Sequence, residues 1–306
     1  MKQIFLILGL VCASLAHSAE TIRIQTPYTA SHSGTPAMLR IIDVANQIQK
    51  NYVFVLEFKP GGNQVIAVKQ MDQDTQHNLA IIAASFVENA ELGQIKPDDY
   101  VPVWSLGDAC WTVMSTKTNG VAEIRGLQNS KEIVVGTVGF GNATHLTALQ
   151  IGKKYNIPVT LVPFKSNFDA VVNMAGNNGV TFGIDTPEAF ENFRPKNDQL
   201  RMLAVSCNQR LPEYPRVKTL REQGIVAPAV MNIVVANVAM PADKRKQLGR
   251  ILEQATDQIG ENEIRKSSGF IPPQFEKMSA QEHFTKSTEL IGRLRGQFEK
   301  EIKQSQ

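Results

Sequence analysis

Residues 132–187 read EIVVGTVGFGNATHLTALQIGKKYNIPVTLVPFKSNFDAVVNMAGNNGVTFGIDTP, and this stretch decides the fold. A β-branched run, Glu132–Thr137, leads into a Gly-rich turn and then a helical pattern near Thr144–Tyr155. A second run, Val159–Pro163, is followed by a helix near Asn167–Met174 and a further run at Val180–Ile184. Short β-branched runs separated by helices predict βαβ units and a largely parallel sheet, because parallel neighbours need a crossover that covers the sheet face.

The rhythm extends in both directions. Toward the N-terminus, Thr21–Gln25 reads as a strand, Pro36–Gln49 as a helix and Tyr52–Phe58 as a strand. Pro60-Gly61-Gly62-Asn63 then precedes a short helix through Met71, and Leu79–Ala83 is a third strand. Toward the C-terminus, Met202–Ser206 is a strand, and Pro241 begins a helix on PADKRKQLGRILEQATDQI. Ser279-x-x-Glu282 is a capping box opening a last helix to about Lys303. Its stripe of Phe284, Leu290, Ile291, Leu294, Phe298 and Ile302 is expected to face the core. No close internal repeat is present. The expectation is an α/β chain of two similar units, 20–120 with 226–306, and 121–225, with a ligand cleft between them.

The N-terminus carries Lys2, an apolar run Ile4–Leu15 and then the small residues Ala13, Ser14, Ala16, Ser18 and Ala19. That order predicts a cleaved secretory signal over 1–19, too short to span a bilayer. His17 fits poorly at the third position before a cut after Ala19, so cuts after Ala16 or Ser18 suit the small-x-small rule better. Val11 before Cys12 argues against a lipid anchor. The remainder suffices for two domains, with 42% hydrophobic and 20% charged residues. A dispersed net charge of +3 does not suggest nucleic acid as a partner. Cys110 and Cys207 are left in the mature chain; an oxidising compartment permits a disulfide and their separation fixes nothing, but two separate buried thiols are the expectation.

Three loops after strands share one chemistry. Thr29, Ala30, Ser31, His32, Ser33, Gly34 and Thr35 form a small, hydroxyl-rich loop ending at a helix start. Gly61-Gly62-Asn63 precedes a second helix, and Gly139-Phe140-Gly141-Asn142-Ala143-Thr144 a third, with His145 following. Glycine lets backbone N–H groups approach a ligand, and a helix N-terminus adds about half a positive charge. Ordinary turns and caps explain any one loop. All three together, at the strand ends of two α/β units, point to a carboxylate or phosphate bound between the units.

Enzymatic patterns are missing from the sequence. His32, His77, His145 and His283 show no metal spacing, no GxSxG elbow occurs, and GTVGFG lacks the Gly-Lys-Ser/Thr of a P-loop. His145 reads as a hydrogen-bonding residue of a helix start rather than a base. His32 reads equally as an anion donor or an exposed loop residue. Asp185 reads equally as a ligand contact or as the turn former before Thr186-Pro187.

IRIQTPYTASHSGT, KPGGN, the run from Gly136 to Pro187 and LRMLAVSCNQRLPEYPRVKTLREQGI occur in the order and spacing of one family. The chain resembles the substrate-binding proteins of tripartite tricarboxylate transporters, the Bug or TctC-like receptors, over essentially its whole mature length. It departs from them in Pro36 where the family usually has Asp, in a shorter KPGGN turn and in the bulky Phe140. The resemblance implies a two-domain periplasmic-binding-protein (Venus flytrap) fold, mainly parallel sheets flanked by helices. It implies a periplasmic, monomeric receptor without metal or cofactor that delivers a small organic carboxylate to membrane permease subunits. By position, Tyr28–Thr35, Gly61–Asn63 and Ser85 would form one wall; Gly139–His145, Phe164, Lys165 and Asp185 would form the other. A receptor feeding a membrane sensor kinase, or a secreted hydrolase, are the alternative readings.

Overall fold

The computed structural model describes residues 18–305 except Ser31, Ser33, Val138, 165–166, 195–198, Ala229, Glu261, 265–269 and 272–277. The expected signal segment, before residue 18, and the candidate residues Ser31, Ser33 and Lys165 therefore lie outside the described residues.

Alternation builds the first sheet. Strands β1 (Glu20–Thr26), β2 (Tyr52–Phe58), β3 (Asn78–Ile82), β4 (Tyr100–Ala109), β10 (Val230–Asn237) and β11 (Phe270–Ile271) stand in the order β11-β4-β10-β3-β1-β2. Successive side chains of a strand point to opposite faces, so both faces need cover. Leu79 and Ile81 join one buried cluster with Ile22, Ile24 and Val234. Ala80 and Ile82 join the other with Ile233 and Val235. Helix α1 (Thr35–Ile48) covers the first face with Met38, Ile41 and Val44, helped by Leu248 and Leu252 of α7 (Ala242–Ile259). Helices α2 (Val65–Met71) and α3 (Ser85–Glu91) cover the second face with Val68, Met71 and Phe86.

The second sheet joins the parallel pair β6 (Ile133–Thr137) and β7 (Val159–Pro163) to an antiparallel trio, β8 (Gly183–Asp185), β5 (Thr112–Thr116) and β9 (Leu200–Val205). The link is a parallel bridge between Val135 and Phe182. Helix α4 (Ala143–Tyr155) packs Leu146 and Leu149 on one face, and α5 (Asn167–Ala175) packs Val171 and Met174 on the other. Helix α6 is Pro187–Phe193. Most strands of each sheet run one way, as expected: β2, β1, β3 and β4 share a direction against β10 and the short β11, and β7, β6, β8 and β9 share one against β5.

The chain crosses between sheets at Cys110–Trp111, directly from β4 into β5, and returns between β9 and β10. Strand β5 therefore belongs to the second sheet, ahead of the boundary at residue 121 expected from sequence. It is an extended strand that leaves one sheet and pairs at once in another. The final helices make a third passage. α8 (Ala280–Gln297) starts on a Ser279 cap that accepts from the Glu282 N–H at 3.1 Å. Phe284 then packs on the first sheet's second face. Ile291 and Leu294, with Phe298 and Ile302 at the end and within α9 (Glu299–Ser305), are buried with the second sheet.

The two cysteines correct the sequence expectation. They are not separate thiols: Cys110 and Cys207 form a disulfide with Cα atoms 5.0 Å apart across 97 residues of sequence. The β5–β9 register explains it. Thr112 pairs with Val205, so the next facing position outward is Cys110 with Cys207. Among the described residues no helix is long and apolar enough to cross a membrane, and no His/Cys/Asp/Glu group could hold a metal ion.

Candidate functional site

The first candidate loop folds on itself beneath the start of α1. The Thr29 carbonyl accepts from the His32 N–H at 3.1 Å and from the Thr35 hydroxyl at 3.0 Å. His32 stacks on Tyr28 with ring centroids 4.0 Å apart, and its Nδ1 accepts from the Gly34 N–H at 3.1 Å. Burial pushes the His32 ring down to about 4, so it is a neutral acceptor near pH 7. Burial also raises the Tyr28 phenol, which stays protonated and donates to Asn232 Oδ1 at 2.5 Å. Ala30 is exposed, and no side chain caps α1 at Gly34.

Tyr28, Gly34 and Thr35 line a cavity with Thr26, Met38 and Asn232. Its interior volume of about 10 Å³ is the room one water requires. Asn232 is 1% exposed, and its Nδ2 has no hydrogen-bond partner among the described residues. A buried amide donor lacking a partner costs about 1–3 kcal/mol, so a polar occupant of this space is favoured. Asn232 is a cavity-lining candidate that sequence reasoning missed. Its signal was its position, the one amide inside the apolar run Met231–Ala236.

The second loop is conformationally costly. Gly61, Gly62, Asn63 and Gln64 all have positive φ, at 106°, 56°, 48° and 78°. Glycine takes such angles freely; at Gln64 they cost about 1 kcal/mol or more. Gln64 is held there because its side-chain oxygen accepts from the Ala83 N–H at 3.0 Å. Asn63 is tied to α3: its side chain donates to Glu88 at 2.8 Å and its carbonyl accepts from the Asn89 amide at 2.8 Å. Ser85 is buried in the first turn of the same helix.

The third loop is the most fully bonded. Asn142 caps α4, its Oδ1 accepting from the His145 N–H and the Thr144 hydroxyl, each at 2.9 Å. The Thr137 hydroxyl lies 3.0 Å from that of Thr144 and donates to the Gly139 carbonyl at 3.0 Å. Ala143 is buried in the helix's first turn. Gly141 has φ of +75°, and its N–H donates to His145 Nδ1 at 2.7 Å. His145 is wholly buried, and burial together with the nearby Arg295 charge holds it down at about 4. Phe140 meets its ring edge-on. Phe164 is anchored beside this turn through its N–H to the Thr137 carbonyl at 2.8 Å.

Asp185 ends β8 beside the crossing strand, where the Thr112 hydroxyl donates to its carbonyl at 2.8 Å. Its side chain accepts from the Thr186 N–H at 2.8 Å. Burial raises the carboxyl to about 7, with the Glu188 carboxylate adding to the rise. Tyr28, Gly34 and Thr35 thus converge on one cavity, and His32 is stacked on Tyr28 beside them. The Gly61–Asn63 and Gly139–His145 loops are joined through Glu88 and Arg295, a second missed residue. Arg295 donates to the Gly141 carbonyl at 2.8 Å, and Asp185 stands apart at the crossing. Nothing in sequence marked Arg295 off from the other cations of its helix.

The fold recurs in solved structures. BugD, a periplasmic binding protein, superposes with a TM-score of 0.73 over 92% of this chain and 97% of its own, at 15% identity. MatC of Rhodopseudomonas palustris with bound malate gives 0.71 over 90% and 98%, at 16% identity. Another R. palustris protein, with adipate, gives 0.71 over 89% and 97%, at 18% identity. A Cupriavidus necator protein, described as a UPF0065 protein in the gbd 5′ region, is 24% identical over 216 residues, 67% of this chain. That match spans 64% of the relative's own length. Residues 111–276, just over half of the chain, match the model of the tripartite tricarboxylate transporter family receptor, TctC. The chain belongs to the TctC family, a family of receptors rather than enzymes.

Proposed function

We propose that this protein is a periplasmic receptor that captures a small carboxylated organic solute between its two α/β units and delivers it to tripartite tricarboxylate transporter permease subunits. The observation that carries this reading is the make-up of the candidate walls. Among their described residues none is Arg or Lys, and two helices, α1 and α4, begin at them. Carboxylate recognition then falls to backbone N–H groups, hydroxyls and amides, supported by the positive ends of those helices. The malate and adipate held by the structural relatives are acids of that class.

The mature chain works as a monomer after removal of residues 1–19, with the first unit running to the crossing at Cys110–Trp111 and resuming at β10, and the second unit lying between. The crossings at Cys110–Trp111 and between β9 and β10 serve as the hinge, and closure is driven by a ligand that contacts both walls. Ligand binding to the native state must raise its thermal stability, by about 2.7 kcal/mol at a hundredfold excess over Kd. Melting of the purified protein is therefore measured against a panel of di- and tricarboxylates, acidic amino acids and aromatic acids. A rise with at least one acid is expected. A flat response across the whole panel sinks the proposal.

A further inference from the structure

We propose that Arg295 is a positioning residue for ligand capture, one that ties the Gly61–Asn63 wall to the Gly139–His145 wall. The inference rests on the receptor reading above and adds a part that the wall residues do not include. Arg295 is 8% exposed and comes from α8, which packs on both sheets. On one side its Nε donates to Glu91 at 2.8 Å, and Nη1 lies 4.0 Å from Glu88, the carboxylate that holds Asn63. On the other side Nη1 donates to the Gly141 carbonyl at 2.8 Å.

The turn at Gly141 is fitted to this guanidinium. A Cβ on Gly141 would stand 2.2 Å from Arg295 Nη1. The Gly141 peptide is gripped at both ends, its carbonyl by Arg295 and its N–H by His145. A charge-assisted hydrogen bond of this kind is about twice as strong as a neutral one, and here solvent is largely excluded. One buried side chain thus fixes how far apart the two walls sit before a ligand arrives. Affinity falls in proportion to the fraction of molecules holding the competent spacing.

The test compares wild type with Arg295→Met and Arg295→Lys, using small-angle scattering without ligand and calorimetric titration with malate and with adipate. The Met variant is expected to show a larger radius of gyration and about tenfold weaker binding of whichever acid the wild type takes, as when the competent fraction drops to about one tenth. The Lys variant, which keeps the charge but lacks the fork, is expected to fall between. An unchanged radius for Arg295→Met overturns the proposal whatever the affinities. Where the wild type binds neither acid, the scattering arm still decides on Arg295, while the receptor reading is judged by the wider panel. Should Arg295→Met not fold, Glu91→Gln weakens the same tie from a half-exposed position, and an unchanged radius there overturns it equally.

Discussion

Cys110 and Cys207 face each other two residues beyond the Thr112–Val205 pair, and their disulfide locks the point where the chain enters the second sheet. Two hydrogen bonds repeat the link: the Trp111 N–H donates to the Ser206 hydroxyl, and the Ser206 N–H to the Trp111 carbonyl, both at 2.8 Å. A disulfide removes conformations from the unfolded chain, and for a closed loop of about 100 residues the chain-entropy value is ~4.7 kcal/mol. Measured losses run lower.

Cys207→Ser is therefore expected to destabilise the protein by about 2–5 kcal/mol. Denaturant unfolding of the variant, and of wild type with and without reductant, checks this. Two thiols titrating in the denatured, unreduced wild type would contradict the bond.

Tyr28→Phe removes the hydroxyl that satisfies Asn232 Oδ1, in a residue whose Nδ2 already lacks a partner. The ring and its stack on His32 remain. An unsatisfied buried acceptor costs about 1–3 kcal/mol, less if a water enters the adjoining cavity. Equilibrium unfolding should show a loss in that range, and a stability equal to wild type would mean that the pair contributes nothing.

The elements that sequence shows and those it hides differ for physical reasons. β2 and β7 match their expected spans, because each is a short run dominated by β-branched, aromatic and other apolar residues and bounded by turn residues. β4 does not show in sequence. It contains Pro102, and its pairing with β10 shifts register twice, between Asn232 and Ile233 and between Val234 and Val235. Each bulge resets the alternation, so no period of two survives. The capping box at Ser279 was legible because caps are local chemistry. The disulfide, the Asn232 pair and the Arg295 tie join residues 97, 204 and 154 positions apart, and no local pattern encodes them.

Asp185 gives the protein a pH dependence whose sign follows from burial. Its folded carboxyl sits near 7 against an ordinary 3.8, and Glu188 is raised in the same direction. A raised acid binds its proton more tightly in the folded state. Its contribution is fully favourable below the unfolded value and is lost as pH rises through about 7. Stability should fall between pH 4 and pH 7 by an amount that Asp185→Asn removes, as read from denaturation midpoints across that window. If Asp185 lines the ligand site, uptake of an anionic acid should also weaken above pH 7 in wild type, and less in Asp185→Asn. Identical pH profiles for the two proteins would rule out the assignment.

Asn142 concentrates the local order of the second wall in one side chain. Its Oδ1 accepts from the His145 N–H at the start of α4 and from the Thr144 hydroxyl, and the Thr137 hydroxyl lies 3.3 Å away. Loss of an N-cap alone costs about 1 kcal/mol, up to 2 in tightly packed hosts. Asn142→Ala also leaves two buried threonine hydroxyls to rearrange, so about 2 kcal/mol is expected from thermal or urea unfolding. Asn142→Asp keeps the acceptor and places a negative charge at a helix N-terminus, where it is stabilised. That variant should retain stability while repelling an anionic ligand from the same turn. Loss of carboxylate binding in Asn142→Asp at unchanged melting temperature would separate the wall's role in recognition from its role in folding. Binding equal to wild type would remove the Gly139–His145 turn from the ligand site.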